Sequence, residues 1–592
     1  MPTVLHRTTG VLAAVALVAL AGCASIPTSG PIGEGDIEVA EPGAAIPLAE
    51  YPQPNAGPEQ IAEGFLQAAG AGPYDDYAAA RAFLTGSAAA AWDPRARVLV
   101  FGDVPPEIEM RDDGSARVTV EVIAVLDEAG RYAEAPPGSR EELVLELVRE
   151  PRGQWRISQL DDGVAMLRTN FSSLHRQVSV YFASPDGRFL VPETRWFPTR
   201  SVVTHAVSEV LAGPSPWLQD AVVSGAPDGA RLSTAAVTVE DGVATVDLAS
   251  GTRTDEADRG LLQAQLEATL SRVPGTLVTA VEVTVGGLPW EAGVVTHPTR
   301  DAAPGRGPYV LSGDRLAVVE GGEVQPLQDA ASLAGLDARR PAVSPDDAVR
   351  VVLDGDRRLM HLPTDGGEPV EVWRGRRLVP PSVDRFGWAW TGEVSSDGSL
   401  VALAPLVPGG TDQDDQPGDG TEAADVAADV AADVAVDVAT TTVQASWLEG
   451  RTIRSVRVSR DGTRAAVVSV GDLGAAIDLS GVIRDGDGTP QMLSEPRRVG
   501  ASMAEVLEVS WSDESTLAAL GSTEAGAEPT VHTVPLGAAS TALSTLDGVV
   551  GVAAGRGDRS VYVAVQDGTL YARQNVSWTR VVGDVRDPAF PG

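Results

Sequence analysis

A turn of the type Ser-x-Asp-Gly, followed by an aliphatic run, recurs through the second half of this 592-residue chain, and no other feature restricts the fold as tightly. Val343-Ser344-Pro345-Asp346-Asp347 precedes Val349 to Leu353, Val394 to Gly398 precedes Leu400 to Leu403, and Val458 to Gly462 precedes Ala465 to Val468. Weaker copies follow at Trp511-Ser512-Asp513-Glu514 and Ala554 to Asp558, and Leu311-Ser312-Gly313-Asp314 starts the series. Strand, tight turn, strand at a spacing of about fifty residues is the pattern of a β-propeller blade. Residues 305–592 are therefore expected to form an all-β propeller of about six blades. Asp346, Asp397, Asp461 and Asp513 read as turn formers, because an acidic residue plays the same backbone role in each copy.

One insertion, 408–441, lengthens the series. It is acidic and repeats Ala-Asp-Val-Ala with aspartates at 425, 429, 433 and 437. Carboxylates four apart on a helix face repel one another, so a disordered surface loop is expected, with a partner-binding or calcium-seeking arm as the other reading. Trp388 and Trp390 share one face of a strand and read as core or as a partner anchor.

At the other end, Arg7, the apolar run Val11 to Leu20 and Leu20-Ala21-Gly22-Cys23 make a cleavable export signal, residues 1–22. The run is short of the roughly twenty residues a membrane span needs. Cys23 is the chain's one cysteine, so an intramolecular disulfide is impossible. Residues 23–58 carry prolines at 27, 31, 42, 47, 52, 54 and 58 and no apolar period, the composition of a flexible linker.

Between the linker and the propeller, two α+β domains are expected. In 59–168, Ile61, Phe65, Leu66 and Ala69 mark a helix and Tyr77 to Leu84 a second. Strands at 117–122, 142–148 and from Trp155 follow, an arrangement similar to NTF2-like folds. In 175–298 the order is strand 178–182, turn Ser184-Pro185-Asp186-Gly187, strand 189–192, and a helix from Ser201 stopping at Ala212-Gly213-Pro214. A hairpin at 237–248, a leucine helix with Leu261, Leu262, Leu266 and Leu270, and a strand at 281–285 complete it, with both helices expected on one face of one sheet.

That second order resembles the GerMN domain. Leu-Ala-Gly-Cys at 20–23 resembles the bacterial lipobox, and with Cys23-Ala24-Ser25-Ile26-Pro27, the two α+β domains and the propeller, the whole chain resembles the actinobacterial LpqB lipoproteins. The resemblance implies S-diacylglycerol and N-acyl (palmitate-type) groups on Cys23, and a place on the extracytoplasmic face of the cell membrane. It also implies a partner, the extracytoplasmic domain of a sensor histidine kinase in an MtrAB-type two-component system, with effects on envelope and division. GerMN supplies no catalytic residues.

The residues themselves point away from chemistry. The histidines at 6, 175, 205, 297, 361 and 532 form no metal spacing, and the chain has no lysine for a phosphate loop or Schiff base. His205 and Glu209 lie one helical turn apart, which fits an acid/base pair or a solvated helix face. Asp485-Gly486-Asp487-Gly488 lacks the distant glutamate of a calcium loop and reads as a turn. A formal net charge of −37 disfavours nucleic acid. The expectation is a binding protein with no catalytic residues, no cofactor and no metal. Wall-polymer binding, or a glycan-acting enzyme using carboxylates in the propeller channel, stay open as alternatives.

Overall fold

The computed structural model describes residues 49–592 apart from 235, 252–255, 291–292, 294–296, 396–398, 406–437 and 558–559. Cys23, the export signal, most of the linker, Asp397 and nearly all of the acidic insertion lie outside the described residues. From Ile46 onward the chain makes one compact unit.

The first domain opens with a helix, Pro58–Gly70, which we label α1. Proline at its first position is already set at helical φ, and Gly57 N–H is taken by Gln60 Oε1 at 2.9 Å. Ile61, Phe65, Ala68 and Ala69, three to four apart, are buried against the sheet. The second expected helix shrinks to Ala78–Arg81. Its continuation is lost to the sheet: Ile157 N–H bonds Phe83 O, and Thr85 N–H bonds Ile157 O. Five strands run in the order 155–159, 140–149, 115–127, 97–101, 164–167, with two short strands paired on the long central one. That central strand, Ser115–Asp127, alternates buried and half-buried residues, placing one face under the helices.

The second domain departs from the expected single sheet. His175–Ala183 and Leu190–Pro198 form a two-stranded hairpin, while 238–240, 243–248, 280–285 and 288–289 form a separate sheet. Helices Val202–Ala212 (α2) and Glu256–Leu270 (α3) pack between them. The split has a physical cause on α3. Thr269 Oγ1 accepts Tyr181 N–H at 3.1 Å and Gln265 Nε2 donates to Tyr181 O at 2.9 Å, so two buried side chains serve the strand edge that another strand would otherwise fill.

The third domain is a propeller of six sheets. The innermost strands are 586–589, 338–343, 382–383, 452–458, 505–513 and 549–554, for blades 1 to 6. The last strand of the chain, Arg586–Ala589, pairs antiparallel with Tyr309–Ser312 and completes blade 1. Two of the expected turn copies sit elsewhere in the blade. Ser312-Gly313-Asp314 joins the second and third strands of blade 1, and the copy at 394–398, of which 396–398 lie outside the described residues, falls in sequence between the second and third strands of blade 3, 389–392 and 400–403. The true first turn of blade 3 is Asp384-Arg385-Phe386-Gly387, where the Asp384 carboxylate takes the N–H groups of Phe386 and Trp388. An aspartate there does what Ser344 and Ser459 do in blades 2 and 4, which is why a search for serine misses it.

The second domain and the propeller share one hydrophobic core. Val180, Phe182, Val207, Leu211, Trp217 and Leu218 are continuous with Ile477, Leu479, Val506, Trp511 and Leu517 of blades 4 and 5.

Candidate functional site: the domain seams and the propeller channel

The channel that propellers commonly keep open is filled here by side chains. Arg340 of blade 2 forms an ion pair with Glu508 of blade 5, across the ring, and a second with Asp587 of blade 1 at 3.5 Å. The other Glu508 oxygen accepts Val552 N–H of blade 6 at 2.7 Å. The nearby carboxylate of Glu508 holds Arg340 above the ordinary arginine pKa. The inner strands of blades 2, 5 and 1 are irregular beside these partners, at 340–341, 507 and 587–588, and a bulge re-aims the residue beside it.

Toward the second domain, Arg460 closes the channel by donating to Trp511 O and Ala554 O at 2.7 and 3.0 Å. The terminal residues Phe590-Pro591-Gly592 pack beside it, and Gly592 N–H bonds Val343 O at 3.1 Å. Burial lowers the pKa of both Arg457 and Arg460 to about 10, so both stay charged at neutral pH. The cavity left among these groups is about 30 Å³, room for no more than a few water molecules.

The seam between the second domain and the propeller is polar around its apolar centre. Tyr181 Oη donates to Glu514 Oε1 at 2.6 Å, Asp301 N–H to Glu514 Oε2 at 3.0 Å, and Arg464 to Glu514 O at 2.8 Å. Arg385 pairs with Asp186 at 2.8 Å and lies between the rings of Phe189 and Phe386. Burial raises the pKa of Glu514 and Asp513, with the charge of Asp301 adding to it.

All three domains meet at a groove of about 550 Å³. Tyr132, Phe171 and Trp196 form its aromatic wall, with ring centres 4.9–6.3 Å apart. Trp196 Nε1 donates to Gly537 O at 2.6 Å, Arg497 to Tyr132 O at 2.9 Å, and Ser540 N–H and Oγ to Glu134 at 3.0 and 2.9 Å.

Several residues singled out from sequence fall among the described residues. His205 bonds Ser201 O through Nδ1 and stacks on Phe197, while Glu209 pairs with Arg195, so no acid/base pair forms. Asp346, Asp461 and Asp513 each accept hydrogen bonds within their own turn. Asp485 does so too, from the N–H groups of Asp487 and Thr489. Trp390 is fully buried and donates to Asp384, with Trp388 packed beside it on the same core.

Sequence reasoning missed the buried charges of the second domain. Arg195 joins Glu193 and Glu209, and Glu193 also receives Ser215 N–H. Burial pushes the Glu193 carboxyl up, but Arg195 and the Ser215 bonds outweigh it and the pKa falls below normal. The signal was there in Pro-Glu-Thr-Arg-Trp at 192–196, charged residues inside an otherwise apolar strand. Among the described residues no group of three or more metal-ligating side chains occurs, and no helix is long and apolar enough to cross a membrane.

These features define a class: a multidomain protein in which a plugged β-propeller is the packing platform for two α+β domains. Three family models match along the chain, the LpqB lipoprotein N-terminal domain over 51–172, the Germane domain of sporulation and spore germination over 179–291, and the LpqB lipoprotein β-propeller domain over 314–591. Lipoprotein LpqB of Mycolicibacterium smegmatis is 30% identical over 84% of each chain, and that of Thermobifida fusca 28% identical over 86% of each. That of Streptomyces avermitilis is 26% identical over 97% of this chain and 96% of its own. The chain belongs to the LpqB lipoprotein family.

Proposed function

We propose that this chain is an extracytoplasmic lipoprotein, held on the membrane by lipid on Cys23, that binds the sensor region of a membrane histidine kinase of the MtrAB type and biases its state. The observation that carries this reading is the plugged channel joined to a core shared between domains. Such a body offers rigid surface rather than a reaction chamber. A cavity of about 30 Å³ admits no sugar ring, which removes the room a channel-based glycan enzyme needs. A tether puts both proteins on one surface, where modest affinity suffices. The kinase output changes only if binding distinguishes its two states.

The test is calorimetric titration of the mature chain, residues 24–592, with the purified extracytoplasmic kinase domain. Saturable one-to-one binding with a Kd of about 10 µM or tighter supports the proposal. No heat at that concentration, together with retention on purified peptidoglycan, replaces it by wall-polymer binding. Deleting the propeller is the wrong control, because Phe182, Leu211 and Trp217 would lose the blades that cover them.

A further inference from the structure

The first domain holds an open-mouthed cavity of about 620 Å³ between α1 and the chain at 101–108. Its size falls within the roughly 300–1,000 Å³ of small-molecule sites. Leu66, Phe101, Ile108 and Leu167 supply apolar walls, and Glu59 and Glu63 stand along its α1 side. Nothing in the domain seams or the channel uses this space.

The two glutamates are one helical turn apart, so they lie on the same side of α1 and repel each other. Among the described residues neither has an ion-pair partner, and Glu63 receives only Gln67 Nε2 at 3.2 Å. The nearest loop adds another acid, Asp103, already paired with Arg168 at 3.7 Å. Glu59 sits in the first helical turn, where the macrodipole favours it. Glu63, a turn further on, is exposed like Glu59 and makes no ion pair among the described residues. A hollow of mixed polar and apolar lining, with two solvent-exposed carboxylates along one side and Leu66, Phe101 and Ile108 on its walls, complements a ligand with an apolar body and a positive head.

We propose that this cavity binds a cationic amphiphile, its ammonium donating to Glu59 and Glu63 and its chain lying against Leu66, Phe101 and Ile108. The probe is dodecylammonium below its micelle concentration, titrated calorimetrically into the mature chain, with dodecanol and dodecanoate alongside. The expected order is ammonium, then alcohol, then carboxylate, with one site for the ammonium. Replacing both acids, Glu59→Gln with Glu63→Gln, weakens dodecylammonium about five-fold and leaves dodecanol unchanged, the scale of two exposed charge contacts. Ile108→Trp, which intrudes on the apolar wall, weakens all three while circular dichroism stays that of the parent. Dodecanoate binding as tightly as dodecylammonium overturns the charge assignment. Ammonium binding unchanged in both variants is adsorption to an acidic surface and overturns the site, as does the absence of saturable heat.

Discussion

Arg340 and Glu508 meet across the propeller channel from opposite walls, blade 2 to blade 5. Glu508 is 6% exposed, and although the charge of Arg457 also acts on it, Arg340 is its ion-pair partner, so removing Arg340 leaves a buried carboxylate with the Val552 N–H bond alone. Arg340→Met is expected to cost about 2–3 kcal/mol, below the figure for a fully buried pair because Arg340 is itself one-third exposed. Urea unfolding reads this as a lower midpoint at unchanged slope. An unchanged midpoint would show the clasp to be ornamental.

Gly481 of blade 4 is a contact point for the second domain. A Cβ there would lie 2.8 Å from Ala221 Cβ and 2.9 Å from Trp217 O. Gly481→Val should therefore push the two domains apart at a cost of about 1–3 kcal/mol. Limited proteolysis checks it, through faster cleavage near 213–225 in the variant than in the parent.

His175 gives the chain an acid-sensitive point. It stacks on Phe171 at 4.8 Å, and burial lowers its pKa to about 4. The unfolded histidine takes a proton near pH 6.5 and the folded one does not, so this contribution is complete above pH 6.5 and is lost as pH falls toward 4. Asp513 and Glu514 act in the opposite sense. Their raised pKa values make folding favour the protonated acids, so they add stability as pH falls through those raised values. Comparison with His175→Gln isolates the histidine. From pH 7 to pH 4 the variant should gain about 2–3 kcal/mol on the parent, and parallel pH curves would exclude the assignment.

Phe590 lies within the closing segment, 8% exposed and 5.8 Å from the ring of Tyr562. Phe590→Ala is expected to cost about 3 kcal/mol. Truncation before Arg586 should do more, exposing the edge Tyr309–Ser312 and giving an aggregating product in size-exclusion chromatography.

Under the proposed lipid attachment, Cys23→Ala moves the protein from the membrane pellet to the soluble fraction after lysis. Retention in the pellet would mean that something other than the lipid holds it.

The sequence disclosed what depends on period and turn chemistry. Alternation in 117–122, leucine spacing in α3 and the acidic turns at Asp346, Asp461 and Asp513 carried through, because each reflects a local backbone demand. What it concealed rests on contacts between distant residues. Tyr181 and Thr269 replace a strand pairing from 88 positions apart, and Arg340 finds Glu508 from 168 positions away. Asp384 hid the first turn of blade 3 by performing a serine's task with a carboxylate. The amphiphile cavity was equally hidden, since α1 meets Ile108 only after strand 107–110 has paired with 115–127.

Completion of blade 1 by Arg586–Ala589 sets an order of events. A chain made from its N-terminus cannot close the ring until the strand 586–589 has been made, and the second domain waits for blades 4 and 5 to cover its core. Contacts of such long range delay folding. Under the proposed export, that delay favours passage across the membrane before a native body can form.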